Sequence, residues 1–148
     1  MESDSAVRVR PLDELDISAV VEIDERIGGS YRPEVWERRI GYHLRRDPAT
    51  ALAAEVGGKV VGFMLGDVRS GEFGLEEPTG WIEVLGVDPR NRGLGLGRHL
   101  AETMFERFRE RGARTVRTLV EEERGELTRF FASVGFAPAP LAALERKL

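Results

Sequence analysis

The stretch VDPRNRGLGLGR at residues 87–98 decides the fold, because three alternating glycines join an apolar segment to an amphipathic one. Glycine lets the backbone adopt conformations that side chains disfavour and lets a ligand approach it closely. A helix that begins at this turn presents free N–H groups and the positive end of its dipole. With Arg92 and Arg98 beside it, the stretch predicts a cradle for a phosphate or pyrophosphate group.

The segments on either side of the turn predict one strand-helix-strand unit. Residues 81–87 are apolar apart from Glu83, which is typical of a buried central strand. An amphipathic helix follows from Leu96 to about Gly112, and residues 115–120 form the next strand. Because such crossovers are right-handed, we expect the two strands to be parallel neighbours.

The remaining segments complete a mixed α/β pattern around one sheet. Periodicity and turn residues predict a strand at 7–10, helices from Leu12 to Ile27 and from Pro33 to Leu44, a hairpin of residues 50–56 and 59–69 around Gly57 and Gly58, and a helix from Leu127 to Gly135. Residues 141–148 fit either a closing strand or a short helix. With the strand, the order is β-α-α-β-β-β-α-β-α-β. We expect an α/β fold with a single mixed, mostly antiparallel sheet flanked by helices, in one domain over residues 1–148.

Composition excludes several classes of function. The chain has 148 residues, no cysteine and two histidines, so thiol nucleophiles and thiolate metal sites are excluded and no metal-ligand spacing is visible. A formal net charge of −4 argues against a general nucleic-acid binder. The polar start is unlike a signal peptide, and no apolar run approaches the roughly 20 residues that span a bilayer. We expect a cytoplasmic protein that binds no metal, nucleic acid or membrane.

Other glycine-rich motifs fit the turn less well. A phosphate-binding loop of the GxxxxGK[ST] type is excluded because His99 follows Arg98 and no lysine is near. A dinucleotide GxGxxG fingerprint would have its third glycine where Arg98 stands. A tight turn without any ligand stays open as the plain structural alternative.

The segment RGLGLG at residues 92–97 resembles the R/Q-x-x-G-x-G/A motif of the GNAT superfamily of N-acetyltransferases. The order of elements over nearly the whole chain also resembles the fold of that family. The resemblance implies acetyl-CoA as co-substrate, with its pyrophosphate on the glycine turn and its pantetheine arm in a gap where the fourth and fifth strands splay apart. The coenzyme-binding residues that it implies are Leu85, Gly86, Val87, Arg92, Gly93, Leu94, Gly95, Leu96, Gly97, Arg98 and Phe131.

Glu83 is the candidate general base for acetyl transfer to an amine, which must be neutral to attack the thioester. A carboxylate in an apolar strand is expected to have a pKa raised by desolvation, which suits a base. Several members of the family resemble this chain in using a glutamate at the matching point of the fourth strand. The alternative is a structural ion pair with an arginine on a neighbouring strand, such as Arg117.

The resemblance is incomplete in the fourth helix. The family pattern N-x-x-A-x-x-[LF]-Y-x-x-x-G-F, aligned on its Gly-Phe ending, has Arg124 at the asparagine position and Phe131 at the tyrosine position. The usual phenol acid is therefore missing. The thiolate leaves without a specific acid, Tyr31 or Tyr42 takes over the role, or the protein binds acetyl-CoA as a regulatory module with little or no catalysis.

The acceptor is expected to be a primary amine, on a small molecule or on a protein N-terminus or lysine. The carboxylates expected along the acceptor groove are Glu72, Glu76, Glu77, Glu121, Glu122 and Glu123. Such a patch would attract a cationic amine, and the alternative is ordinary solvated loop charge. Because cysteine is absent, we expect direct attack in a ternary complex. The apolar tail at residues 137–144 either joins a homodimer or closes its own sheet.

Overall fold

The structure, a computed structural model, describes residues 6–74 and 77–148, without the side chain of Glu72. The helices and strands follow one another in the predicted order as far as the fourth helix. They are β1 Val7–Pro11, α1 Ile17–Gly28, α2 Pro33–Arg46, β2 Ala51–Val56, β3 Lys59–Arg69, β4 Thr79–Val87, α3 Leu96–Glu110, β5 Thr115–Thr118 and α4 Gly125–Ser133.

These strands form one mixed sheet in the order β1-β2-β3-β4-β5. Strands β1 to β4 are antiparallel neighbours, whereas β5 is parallel to β4. The parallel pair confirms the strand-helix-strand unit around the glycine turn. The hairpin between β2 and β3 is also confirmed, because Gly57 and Gly58 have φ angles of 59° and 78°, as its two-residue turn requires.

Each face of the sheet is covered by one pair of helices over its own hydrophobic core. Helices α1 and α2 cover one face through buried side chains such as Ile23, Trp36 and Ile40. Helices α3 and α4 cover the other face through side chains such as Leu100 and Phe131. Alternate residues of the strands therefore meet different helices, which decides where each functional side chain points.

The helices begin and end at the turn residues of the sequence, with one difference. Helix α1 starts at Ile17 rather than near Leu12, because Asp13 caps a short 3₁₀ turn at Glu14–Asp16. Leu15 is consequently 89% exposed and lies outside the inner face of the helix. Over residues 6–74 and 77–148, the structure contains no helix whose length and apolar character would let it span a membrane.

The closing strand expected at residues 141–148 is wrong, and the alternative of a short helix is wrong as well. Residues 137–148 form neither helix nor strand. Leu144 is 93% exposed, so the tail buries too little apolar surface to hold a strand in place.

Candidate functional site

The fourth and fifth strands separate halfway along β4. They pair from Thr79 with Thr115 as far as Ile82 with Thr118, where the Thr118 hydroxyl donates a 2.9 Å hydrogen bond to the carbonyl of Ile82. Residues 83–87 then have β3 on one side and no strand on the other within the described chain. The gap that the resemblance implied at this point is therefore present, and it leaves backbone groups of β4 open to a ligand.

A β-bulge lies at the point where the strands separate. The β3–β4 register pairs Leu65 with Val84 and Gly66 with Ile82, which leaves Glu83 as the extra residue. A bulge re-aims the side chains of its strand and reverses their alternation. Glu83 therefore occupies a special position in β4.

Because of the bulge, the side chain of Glu83 and those of Leu85 and Val87 lie on opposite faces of the sheet. Glu83 contacts Arg39 of α2, and the adjacent Val84 packs in the core under α1 and α2. Leu85 and Val87 pack instead on the side of α3 and α4. Simple alternation would have put Glu83, Leu85 and Val87 on one face, so a ligand that reaches all three must pass through the gap.

A cleft of about 690 Å³ runs along this gap from the end of α1 to the glycine turn and α4. Most of the residues that were predicted to bind the coenzyme line this cleft, namely Leu85, Val87, Arg92, Gly93, Gly95, Leu96, Gly97 and Arg98. It also has lining residues that sequence reasoning missed, namely Ile27, Gly28, Asn91, Arg124, Glu126, Leu127, Phe130 and Ser133.

The three glycines of the turn have two different physical roles. Gly93 and Gly95 have φ angles of 89° and 72°, in the left-handed region that other residues avoid. Gly97 is helical, but a Cβ there would come within 2.9 Å of the Phe130 ring. No side chain caps α3 at Gly95, so its first N–H groups face the cleft without a side-chain acceptor.

Asp88 anchors the start of the turn. Its side chain is buried and accepts hydrogen bonds from the backbone N–H of Arg90 at 3.0 Å and from the guanidinium of Arg26 in α1 at 3.0 Å. Its own N–H donates to the carbonyl of Val61 at 2.8 Å. Burial raises the pKa of Asp88, but hydrogen bonds and charge from Arg90 and Arg26 outweigh it and hold the pKa below its ordinary value.

Charge in the cleft favours an anion. Arg92, Arg98 and Arg124 line it together with a single carboxylate, Glu126. Arg92 forms an ion pair with Glu126, and Arg98 donates a 2.9 Å hydrogen bond to the carbonyl of Ser133. These contacts join the glycine turn and α3 to α4, and the excess of guanidinium groups suits a phosphate ligand.

Three of the residues that were predicted to bind the coenzyme do not line the cleft. Gly86 faces α1 and α2, where a Cβ would lie 2.5 Å from the Phe63 ring. A glycine is therefore needed at this position for close packing. Leu94 is partly exposed at the turn. Phe131 is 4% exposed and packs in the core against Phe136, with ring centroids 5.0 Å apart. The aromatic side chain in the cleft is that of its neighbour Phe130, since α4 presents adjacent residues to different surroundings.

Glu83 lies in a polar cluster, and the expectation of a raised pKa is wrong. Its carboxylate is 3.3 Å from Nε2 of His43 and 2.8 Å from the guanidinium of Arg39. The His43 contact is the main cause that lowers the pKa of Glu83 to about 2, with Arg39 adding to it and burial opposing it. The carboxylate is therefore ionised across the neutral range.

Glu83 does form an ion pair with an arginine on a neighbouring strand, but that arginine is Arg69 of β3, at 3.9 Å, and Arg117 as the partner is wrong. Arg117 lies opposite Trp81 on β5, and its buried Nε has no hydrogen-bond partner within residues 6–74 and 77–148. The shortest contacts of the Glu83 carboxylate are with Arg39 and His43 of α2, which is about 40 residues away in sequence. A sequence pattern cannot indicate that pairing, because it depends on how α2 lies across the sheet.

The acidic acceptor groove has little support among the described residues. Glu77, Glu121, Glu122 and Glu123 are exposed and form no ion pair with any described residue. Glu76 and the side chain of Glu72 lie outside the described residues. The groups that surround Glu83 are instead guanidinium groups, from Arg39 and Arg69. In the described part of the chain, no cluster of His, Asp or Glu side chains could hold a metal ion.

Comparison with known proteins gives one family. Residues 17–136 match the model of the acetyltransferase (GNAT) family. A mycothiol acetyltransferase of Thermobispora bispora is 39% identical over 90 residues, covering 61% of this chain and 30% of that protein. One from Nocardia farcinica is 32% identical over 108 residues, covering 73% of this chain and 33% of that protein. The chain thus spans about a third of the length of these relatives.

Solved structures agree on the fold. An aminoglycoside N-acetyltransferase, AAC(6')-Iy, in complex with CoA superposes with a TM-score of 0.82 at 15% identity, covering 96% of this chain and 95% of that one. Ard1 from Thermoplasma volcanium superposes with a TM-score of 0.75 at 27% identity, covering 89% of this chain and 83% of that one. The overall fold is therefore shared with proteins of distant sequence.

Proposed function

The chain belongs to the acetyltransferase (GNAT) family, and on that premise we propose that it transfers an acetyl group from acetyl-CoA to a primary amine. The observation that carries the proposal is the cleft that joins the gap in the sheet to the glycine turn. Its open backbone groups, its uncapped helix N-terminus and its arginines match the chemistry of a long ligand with a pyrophosphate group.

The proposed coenzyme contacts come mainly from the backbone. The N–H groups of residues 93–97 hold the pyrophosphate, with Arg92 and Arg98 supplying positive charge. The pantetheine arm lies along β4 at Leu85 and Val87, where no neighbouring strand takes the backbone groups. In this proposal Phe130, rather than Phe131, packs against the coenzyme, because Phe130 lines the cleft.

Glu83 is the residue to which we assign the acceptor amine. With a pKa of about 2 it is always a carboxylate near neutral pH, so it can hold and orient the amine or a water beside it. It is a weak proton acceptor until the nitrogen bonds to the acetyl carbon and becomes more acidic. The N–C bond forms, the C–S bond breaks, and the released proton passes through Glu83 to solvent.

The thiolate leaves without a dedicated acid in this proposal. Phe131 replaces the phenol that the family pattern expects, and it is buried in the core. A thiol has a pKa of about 8.5 against about 10.4 for an alkylamine, so the sulfur is the better leaving group without help. Backbone N–H groups of residues 85–87 are the candidate donors to the developing oxyanion.

A second function, an acetyl-CoA-binding regulatory module, is favoured by one specific observation. Arg39 and His43 already contact the Glu83 carboxylate and lower its pKa, which makes Glu83 a weaker base. The two functions differ in turnover but share coenzyme binding. A module without catalysis would release no thiol from acetyl-CoA with any amine.

Calorimetric titration with acetyl-CoA, with NAD as a control ligand, tests the proposal first. We expect saturable binding of acetyl-CoA and none of NAD, followed by amine-dependent thiol release in a panel of amino acids, peptides and polyamines. Absence of acetyl-CoA binding would overturn both functions. Binding without thiol release across the panel would favour the regulatory module.

A further inference from the structure

The surface around Glu83 carries three arginines from two elements, Arg39 and Arg46 of α2 and Arg69 at the end of β3, which we call the arginine cluster. Arg39 lies 2.8 Å from one Glu83 oxygen, and Arg69 lies 3.9 Å from the other. The cluster thus borders the carboxylate to which the proposed function assigns the acceptor amine.

The described charges of this surface do not cancel. Asp67 accepts a hydrogen bond from Arg69 at 2.9 Å and lies 3.6 Å from Arg46. Glu83 forms an ion pair with Arg39. Three guanidinium groups therefore face two carboxylates, which leaves one positive charge in excess among these side chains. An excess of that sign repels a polycation and attracts an anionic group.

The two arginines beside Glu83 keep hydrogen-bond donors unused. A guanidinium has five N–H donors. Arg39 donates to Glu83 through Nη2, and Arg69 donates to Asp67 through Nε, with no other hydrogen bond from either to a described residue. Both side chains are 32% exposed, so the unused donors are accessible to a ligand.

Aromatic rings hold both guanidinium groups in place. Arg39 lies over Trp36, with 4.8 Å between its Cζ and the ring centroid, and Arg69 lies 5.7 Å from the centroid of Trp81. Both tryptophans are buried. A planar guanidinium fixed on a buried ring loses little freedom when it binds a carboxylate with two parallel hydrogen bonds.

We propose that the acceptor carries a carboxylate as well as its amine, and that Arg39 and Arg69 bind this carboxylate while the amine lies at Glu83. The inference rests on the proposed acetyl transfer and specifies its substrate class, a compact aminocarboxylate. It excludes polyamines and other polycations as the preferred acceptors, in contrast to the expectation of an acidic groove.

Matched pairs of amines test this inference, each pair an amino acid and its carboxamide, such as alanine and alaninamide or β-alanine and β-alaninamide. Thiol release gives kcat/KM for each, and calorimetry gives binding with and without CoA. In the preferred pair, we expect kcat/KM to be at least tenfold higher for the amino acid than for its carboxamide. Spermidine serves as the polycationic comparison and should be a poorer acceptor than that amino acid.

Variants then assign the preference to the cluster. Arg69→Gln should lower kcat/KM for the carboxylate tenfold or more, mainly through KM, and change the value for the amide less than threefold. Arg69→Lys keeps the charge but loses the planar fork, so an intermediate loss is expected. Arg8→Gln is the matched control, because it removes an equal charge from an exposed side chain on β1.

Equal or better use of the amides or of spermidine, in a protein that binds acetyl-CoA, overturns the inference and leaves the proposed function intact. An equal loss for both members of a pair in Arg69→Gln also overturns it, since a structural role would act on both alike. If acetyl-CoA does not bind, the proposed function fails, and amino-acid binding measured without CoA still decides whether the carboxylate site exists. If Arg69→Gln melts well below the parent, Arg39→Gln provides the same comparison.

Discussion

The cleft proposed to bind the coenzyme and the side chains around Glu83 lie on opposite faces of the same strand, and they are built in different ways. The cleft depends mainly on the backbone conformation of one stretch of chain, residues 85–98, while α4 and the end of α1 complete its walls. The cluster around Glu83 depends on side chains from α2, β3 and β4 that are far apart in sequence. A backbone site survives most side-chain changes, whereas a side-chain site depends on every partner.

Glu83→Gln should produce the largest effect and separate the two regions most clearly. Loss of the carboxylate removes the group that orients the amine and takes its proton, so we expect kcat to fall by about 100-fold. Acetyl-CoA affinity measured by calorimetry should be unchanged, because Glu83 faces away from the cleft lining. Glu37→Gln, an exposed carboxylate on the same helix as Arg39, is the control. Unchanged turnover in Glu83→Gln would show that the cluster has no part in the chemistry.

The stability of the Glu83 cluster should depend on acid pH. The pKa of Glu83 is about 2 in the folded chain against 4.5 unperturbed, so its stabilisation is fully present above about pH 4.5 and is lost as the pH falls toward 2. After allowance for solvent screening of a partly exposed group, we expect about 2 kcal/mol.

Urea unfolding of the parent and Glu83→Gln between pH 7 and pH 2.5 measures this contribution. The difference in the free energy of unfolding should be constant down to about pH 4.5 and then shrink. A difference that grows as the pH falls would contradict the direction of the pKa shift.

Gly95→Val tests the backbone site. Gly95 has a φ of 72° and immediately precedes α3, so a branched side chain both strains the turn and blocks approach to the N–H groups at the start of the helix. We expect acetyl-CoA affinity to fall at least tenfold, about 1.4 kcal/mol. Gly58→Val places the same strain, at a φ of 78°, in the β2–β3 hairpin, and should lower stability without affecting that affinity. Equal affinities in the two variants would mean that the cradle lies elsewhere.

The smallest expected effect concerns the two adjacent phenylalanines of α4. Phe130→Leu should weaken acetyl-CoA binding about threefold, because it trims an aromatic wall of the cleft. Phe131→Leu should leave the affinity unchanged and lower the free energy of unfolding by about 1 kcal/mol, because Phe131 packs in the core. Thermal unfolding and calorimetry on the same samples distinguish these results, and the reverse pattern would reinstate Phe131 as the coenzyme contact.

Sequence reasoning succeeded where a feature depends on neighbouring residues. The hairpin at Gly57 and Gly58, the parallel strand-helix-strand unit and the conformations of Gly93 and Gly95 all follow from local patterns. It failed at the tail, where the apolar residues stay exposed and bury too little surface to hold a strand. At α4 it did not distinguish two adjacent phenylalanines, of which Phe130 lines the cleft and Phe131 packs in the core.

The sequence by itself determined the order of elements and the place of the glycine turn, because hydrophobic period, turn residues and glycine conformations are properties of short segments. Only the tertiary structure decided the state of Glu83. A bulge of one residue turns its side chain toward α2, and packing brings Arg39 and His43 to it from about 40 residues away. The charge and pKa of a group depend on its neighbours in space, and those are set only when helices and sheet pack together.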